Sequence, residues 1–454
     1  MSKNSAGIDA TLQKMEKLFS KKYGIVNHTK TSEFAGLDVQ LEDSSLMAGN
    51  VIPMFVSIVK NSDAKETGLD SGGAASINLK KSKVKAYGEF IERYSSGYRK
   101  NEMIDNVIFD SHENLTAKGF HCLDFSELIH FDEDVYENPQ FPLFRYNKSK
   151  KISWIKGSEI TNGRNVLLPA QKVLMYYPYR KEENPYIFNL STGLACGSYY
   201  HQAALNALLE VVERDSFMLT WLLRIPGVRV DFDKARSESL TKIHDHITKY
   251  MTGEDKLFIY DISKTKGVYT ILTFIRNDLD HAFGIIPAAA SHFNPETALH
   301  KALEELCQSY KFAYYHLLGS EGDKYRTMNA SEIDNLHKHL LYYCTGKRSK
   351  SIDFISSSGV GKLLSEMVDY SQPTDSDDYD LLVDLFRNQS QSAYLADITK
   401  PEIRSHGFHV LRGIVPGYLD LELGQQYRQL KYNRLQDYKE RLGASVNTDS
   451  HPFP

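Results

Sequence analysis

Residues 191–215 read STGLACGSYYHQAALNALLEVVERD, and the fold turns on how that run changes character along its length. Ser191, Thr192, Gly193 and Gly197 make a turn-rich opening, because glycine supplies backbone conformations that other residues avoid. A helix follows. Leu205, Leu208, Leu209 and Val212 recur at i, i+3, i+4 and i+7, and Ala203, Ala204, Ala207 and Val211 cover much of the remaining surface. A helix that is apolar on nearly every side is a buried helix. Its end nevertheless carries Glu210, Glu213 and Arg214. Buried carboxylates are costly unless paired, protonated or bound to a cation, so this helix end is a candidate site.

The same frame occurs earlier. Residues 86–94 read AYGEFIERY and set Glu89, Glu92 and Arg93 at the spacing of Glu210, Glu213 and Arg214. Carboxylates at i and i+3 share a helix face, so two such helices side by side would offer Glu89, Glu92, Glu210 and Glu213 to one space. That donor set suits Mg²⁺, which takes oxygen ligands, keeps some waters and is commonly shared with nucleotide phosphates. Arg93 and Arg214 would meet phosphate oxygens. An ExxER run also makes an ordinary surface pair. For 86–94 that reading stays open, since Tyr87, Phe90, Ile91 and Tyr94 form an amphipathic stripe. The apolar surroundings of 203–214 weigh against it.

Around these helices the chain alternates between strand-like and helical runs. Residues 51–59, 257–263, 268–276, 283–291, 394–399 and part of 407–421 read as strands, and 7–22, 238–252 and 331–345 as helices. SGGAAS at 71–76 reads as a loop leading into the first ExxER helix, where backbone N–H groups can approach phosphate. Lys80, Lys81, Lys83 and Lys85 read as a solvated face, and QPTDSDDYD at 372–380 as an acidic loop. Asn294-Pro295 opens a helix over 296–318 that carries Glu304, Glu305 and Gln308, the last two again at i and i+3. The expected class is α/β in the broad α+β sense: mixed sheets packed with helices, in two pseudo-symmetric halves.

Composition sets the bounds. The 454 residues are 41% hydrophobic and 25% charged with a formal net charge of −4, so no global basic field points to nucleic acid. No apolar run is long enough for a membrane span, and the polar start MSKNSAGIDA lacks a secretory h-region; a cytoplasmic location is expected. Cys122, Cys196, Cys307 and Cys344 are scattered and imply no disulfide framework. The tail ends in Pro452-Phe453-Pro454, a stiff extended run able to deliver a terminal carboxylate to a cleft.

Three blocks taken in order resemble the YcaO family of ATP-using enzymes that activate peptide backbone amides. They are Ser71–Ser76 with Glu89, Glu92 and Arg93; Ser191 to Arg214; and ALHKALEELCQSY with Glu305 and Gln308. The resemblance runs over about residues 65–420 and the last three residues, and it implies a YcaO-type fold around an ATP site. It implies ATP and Mg²⁺ as cofactors, with Glu89, Glu92, Glu210 and Glu213 on the metal. Ser71, Ser191, Gln202, Glu305 and Gln308 would bind nucleotide. In the azoline-forming branch the chain ends in PxPxP, whose terminal carboxylate assists proton transfer. Here Ser450 replaces the first proline and Pro454 would be the base, with Arg93 and Arg214 completing the catalytic set. The family often has Gly-Lys-Gly near Ala74–Ser76 and Ser at Lys85, so the phosphate lysine is unassigned.

The implied division is an N-terminal segment over 1–64, a catalytic domain over 65–424, and a charged helix with the PFP tail over 425–454. The implied activity is cyclodehydration of Cys, Ser or Thr in a ribosomally made precursor peptide. Thioamide or amidine formation, or a non-catalytic nucleotide-binding scaffold, are the alternatives. Implied partners are the precursor peptide, a leader-peptide-binding or ubiquitin-activating-like protein, an FMN-dependent azoline dehydrogenase, and a second copy of the chain in a homodimer within a hetero-oligomer.

Overall fold

The computed structural model describes residues 3–18, 28–34, 54–60, 71–97, 107–251, 254–279, 283–318 and 322–454. Three sheets carry the helices. The first is antiparallel: β1 (His28–Phe34), β2 (Met54–Lys60) and β3 (Ser71–Ser76). The second joins β4 (Ile108–Ser111), β5 (Lys151–Glu159), β6 (Arg164–Pro169), β7 (Leu194–Gly197), β13 (Tyr394–Asp397) and β14 (His409–Ile414) in the order β4-β5-β13-β14-β7, with β6 paired to β5. The third runs β11 (Ile285–His292), β10 (Tyr269–Arg276), β9 (Lys256–Asp261), β8 (Val228–Asp231) and β12 (Gly361–Leu363), the last pair parallel.

The mixed architecture is the expected one, and three local expectations change. SGGAAS is strand β3 rather than a loop. Small residues are needed there because β3 lies under the helix Leu79–Ser95: a Cβ at Gly72 would stand 2.2 Å from Ala86 O. The acidic run at 372–380 is largely the first turns of a helix, Asp375–Asn388. Thr374 caps it and Asp375, Asp377 and Asp378 lie in its first turn, where the helix dipole favours negative charge. The charged helix near the C-terminus is shorter than expected, an α-helix over Asn433–Leu442 preceded by a single 3-10 turn at Gln425–Tyr427. The expected division at residue 64 falls outside the described residues.

The helix Tyr200–Leu222 is the central one. Ala203, Ala204, Leu208 and Val212 are fully buried, packed with Leu382 and Phe386 of the Asp375–Asn388 helix and Leu411 of β14. Its second half, with Phe217, Met218, Trp221 and Leu222, packs against Leu272 and Phe274 of β10 and against Phe453. The helix Pro295–Leu318 starts on Asn294, whose Oδ1 accepts the Thr297 N–H at 2.9 Å. It lays Leu299, Leu303, Leu306 and Tyr310 on the third sheet. Each fully buried side chain of this size contributes about 1.5–3 kcal/mol. These helices fix the positions of the charged groups that follow.

Candidate active site

The two ExxER units present their charged groups through matching local geometry, the first at the end of the helix Leu79–Ser95 and the second in the middle of Tyr200–Leu222 rather than at its end. In the first, the Gly73 N–H donates to Glu89 Oε2 at 2.9 Å, and Arg93 Nη2 lies 3.5 Å from Glu89 Oε1. In the second, the Gly193 N–H donates to Glu210 Oε2 at 2.9 Å, and Arg214 Nη2 lies 3.4 Å from Glu210 Oε1. A glycine amide from the preceding strand or turn and an arginine one helical turn on thus aim each leading carboxylate. This is the pseudo-symmetry suggested by the repeated frame.

The trailing carboxylates lie deeper. Glu92 Oε1 accepts the Cys196 N–H of β7 at 2.9 Å, so the first helix is tied to a strand of the other half. Burial pushes the Glu92 carboxyl up to about 8, with Glu210 and Glu89 adding repulsion. Burial also pushes Glu213 well up; Arg214 opposes the shift, while Glu305 and Glu210 add to it. Glu213 Oε1 and Arg214 Nη1 are buried without a hydrogen-bond partner among the described residues.

Glu89, Arg93, Glu210 and Arg214 line one cavity of about 430 Å³ together with Ser191, Glu305, Gln308 and Pro454. Gln308 Nε2 donates to Gly73 O at 3.1 Å, joining the third helix to β3. Arg214 stacks over the Phe453 ring at 4.4 Å, which brings the tail to the cavity wall. One expected nucleotide contact, Gln202, does not line this cavity. Gln202 accepts the Ser198 N–H and faces Asp375 at 3.4 Å, and the side chain of Ser71 lies outside the described residues.

Sequence reading missed Lys85. It lines the cavity and pairs with Glu304 Oε2 at 3.0 Å. The signal was its i, i+4 spacing from Glu89, which puts both on one helix face. Glu304 is buried, and Lys85, Lys81 and His300 hold it down at about 2 against the effect of burial. The far wall, with Phe312, Leu336, His337 and Leu340, carries no motif and was also missed.

Among the described residues no three His, Cys, Asp or Glu side chains converge tightly enough to cage a metal ion by themselves. The donor set nevertheless fits Mg²⁺ shared with phosphates and water. All of the candidate donors are carboxylate oxygens, Glu92 and Glu213 are raised by burial, and one Glu213 oxygen is orphaned. A cation with a bound polyanion would satisfy them.

Comparison with known proteins decides the lineage. The family model described as "YcaO cyclodehydratase, ATP-ad Mg2+-binding" matches residues 73–419. The chain belongs to the YcaO family. An uncharacterized protein from Methanothermobacter thermautotrophicus is 24% identical over 413 residues, covering 88% of this chain and 92% of that protein. A solved heterocyclase in complex with substrate and cofactor superposes with a TM-score of 0.72 at 18% identity, over 98% of this chain and 57% of that one. YcaO from Methanopyrus kandleri, bound with AMPPCP and Mg²⁺, gives a TM-score of 0.61 at 16% identity, over 90% and 91% of the two chains. At these identities the structural likeness establishes the YcaO fold.

Proposed function

We propose that the chain is an ATP-dependent cyclodehydratase acting on a ribosomally synthesised precursor peptide. The observation that carries this reading is the convergence of Glu89 and Arg93, Glu210 and Arg214, Glu305, Gln308 and Pro454 on one cavity of about 430 Å³, with Glu92 and Glu213 buried behind its lining. In the proposed reaction a Cys, Ser or Thr side chain adds to the preceding backbone carbonyl. The oxygen so exposed takes the γ-phosphoryl group of ATP and ADP departs. Loss of phosphate, with removal of the amide N–H proton, leaves a thiazoline or oxazoline, so the peptide loses the elements of one water.

The protein's part is positioning and electrostatics. Glu89, Glu92, Glu210 and Glu213 would hold Mg²⁺, which neutralises triphosphate charge when bound. Arg93 and Arg214 aim the leading carboxylates and face the phosphates. Ser191, Glu305 and Gln308 would hold the nucleotide, and Gln202 is left out of the set. A carboxylate on Pro454 would take the proton. Residues 65–424 form the proposed catalytic unit and 425–454 the segment that closes it.

The heterocyclase matched above extends well beyond the region shared with this chain. The proposed partners are a leader-peptide-binding, ubiquitin-activating-like protein in the cytoplasm, an FMN-dependent dehydrogenase acting on the azolines, and a second copy of the chain in a homodimer within the complex. The test is mass spectrometry of the precursor after incubation with chain, partner, ATP and Mg²⁺. Loss of one water per modified residue with ADP release is expected. Exchange of oxygen for sulfur, or an unchanged peptide, would contradict it.

A further inference from the structure

Residues 444–454 are held along the end of the Tyr200–Leu222 helix by backbone contacts. The Asn447 N–H donates to Leu222 O at 2.6 Å and Trp221 Nε1–H to Asp449 O at 3.0 Å. Arg224 Nη2 reaches Asn447 Oδ1 at 3.0 Å and Asp449 Oδ2 at 3.1 Å. The Tyr343 hydroxyl donates to Ser450 O. The last contacts come from two fully buried histidines, His339 and His451, whose rings stack 3.9 Å apart at 4°.

Their tautomers follow from their partners. His339 Nδ1 lies 2.8 Å from His451 O and must donate to it. His451 Nδ1 lies 3.2 Å from the Phe453 N–H and must accept from it. The proton of His451 therefore sits on Nε2, 3.0 Å from Glu422 O. The Glu422 amide is also 3.2 Å from Nε2, but accepting there would place a proton on Nδ1 facing another donor. Phe453, turned by this contact, packs against Phe217 with ring centroids 4.6 Å apart at 46° and lies under Arg214.

We infer that His451, clasped by His339, is a positioning residue: its unprotonated Nδ1 turns the chain at Phe453 and sets Pro454 against the Glu210–Arg214 unit. Ser450 stands where a proline would otherwise stiffen the run, so a side-chain acceptor does the turning instead. A proton on His451 Nδ1 would set two donors face to face and release the last residues.

The hydrogen bond to the Glu422 backbone favours a proton on His451, and the basic groups around it oppose one. They are His339, Arg214 and Arg428, while the Glu422 carboxylate is spent on Arg428 at 3.2 Å. Burial, the larger cause, holds His451 well below the ordinary histidine range and His339 at about 4. For a base held low in the docked state, docking is complete above the ordinary value of 6.5 and is lost as pH falls below it. The effect on turnover rests on the cyclodehydratase reading; the docking does not.

The experiment measures hydrogen exchange of residues 444–454 in the full-length protein, corrected for intrinsic rates, beside peptide-dependent ATP turnover. His451→Asn keeps an acceptor near the Nδ1 position and cannot be protonated, whereas His451→Leu removes it. Wild-type protection is expected at about pH 7.5 and an exchange roughly tenfold faster at about pH 5.5. His451→Asn should be protected at both, and His451→Leu at neither while 200–222 stays protected. Turnover of His451→Leu should fall about tenfold with nucleotide affinity unchanged. A wild-type tail equally protected at both pH values, or His451→Asn exchanging like His451→Leu, would overturn the inference, and these arms decide should His451→Leu fail to fold. The expected exchange with undiminished turnover would uphold the positioning and overturn Pro454 as base.

Discussion

The two ExxER units start from one local design and end in different surroundings. Each leading carboxylate takes a glycine N–H at 2.9 Å and an arginine near 3.5 Å. Beyond that they part. Glu92 is satisfied by the Cys196 N–H, and Arg93 is capped by Met175 Sδ at 2.8 Å. Glu213 and Arg214 each keep a buried atom without a hydrogen bond, and Arg214 stacks over the tail's Phe453 ring. Glu213 Oε1 meets Arg214 Nε only at 3.6 Å, and burying polar atoms short of hydrogen bonds is costly, so a ligand in the cavity would relieve the second unit more than the first. The first unit reads as the fixed jaw of the clamp and the second as the working one.

Removing each arginine breaks the comparison most sharply. Arg214→Ala should lower peptide-dependent ATP turnover about 100-fold, since it strips both the proposed phosphate contact and the tail stack. Arg93→Ala should cost about tenfold, mostly as a higher KM for ATP. Steady-state kinetics of the two variants side by side check this.

The glycines differ in the same sense. Gly193 sits at φ +81°, and a Cβ there would stand 2.3 Å from Gly413 O. Gly73 has room, with Ser57 O at 3.9 Å as its near neighbour. Gly193→Ala should cost about 2 kcal/mol of stability and Gly73→Ala under about 1 kcal/mol, read from denaturant midpoints.

Much of this was legible in the sequence and some was not. The apolar-all-round helix, the repeated frame and the Asn294-Pro295 start depend on local periodicity and capping, which the chain displays openly. SGGAAS looked like a loop because its strand character comes from a tertiary fact, the helix backbone lying against Gly72. Lys85 looked solvated because its partner Glu304 lies on a helix more than two hundred residues away. Gln202 went astray for a similar reason: Asp375, which it faces, belongs to a helix read as a loop.

Acidity sharpens the contrast further. Glu92 is raised to about 8 from an ordinary 4.5. Its contribution to stability is therefore whole below the ordinary value and is lost as pH rises through the raised one. Binding Mg²⁺–nucleotide would need that proton released, so affinity should rise by up to about tenfold per pH unit until about pH 8. Calorimetry in buffers of different ionisation enthalpy should show proton release that Glu92→Gln removes. The smallest effect is at Lys85: Lys85→Met should raise the KM for ATP about threefold, with kcat little changed.

The central claim is that both units grip one Mg²⁺–triphosphate, and a double-mutant cycle on nucleotide affinity tests it most directly. Calorimetric titration of Mg²⁺–ATP into wild type, Glu89→Gln, Glu210→Gln and the double variant should give a coupling of at least about 1 kcal/mol, the double losing little more than the worse single variant. Losses that simply add, or an affinity that neither substitution changes, would contradict a shared site.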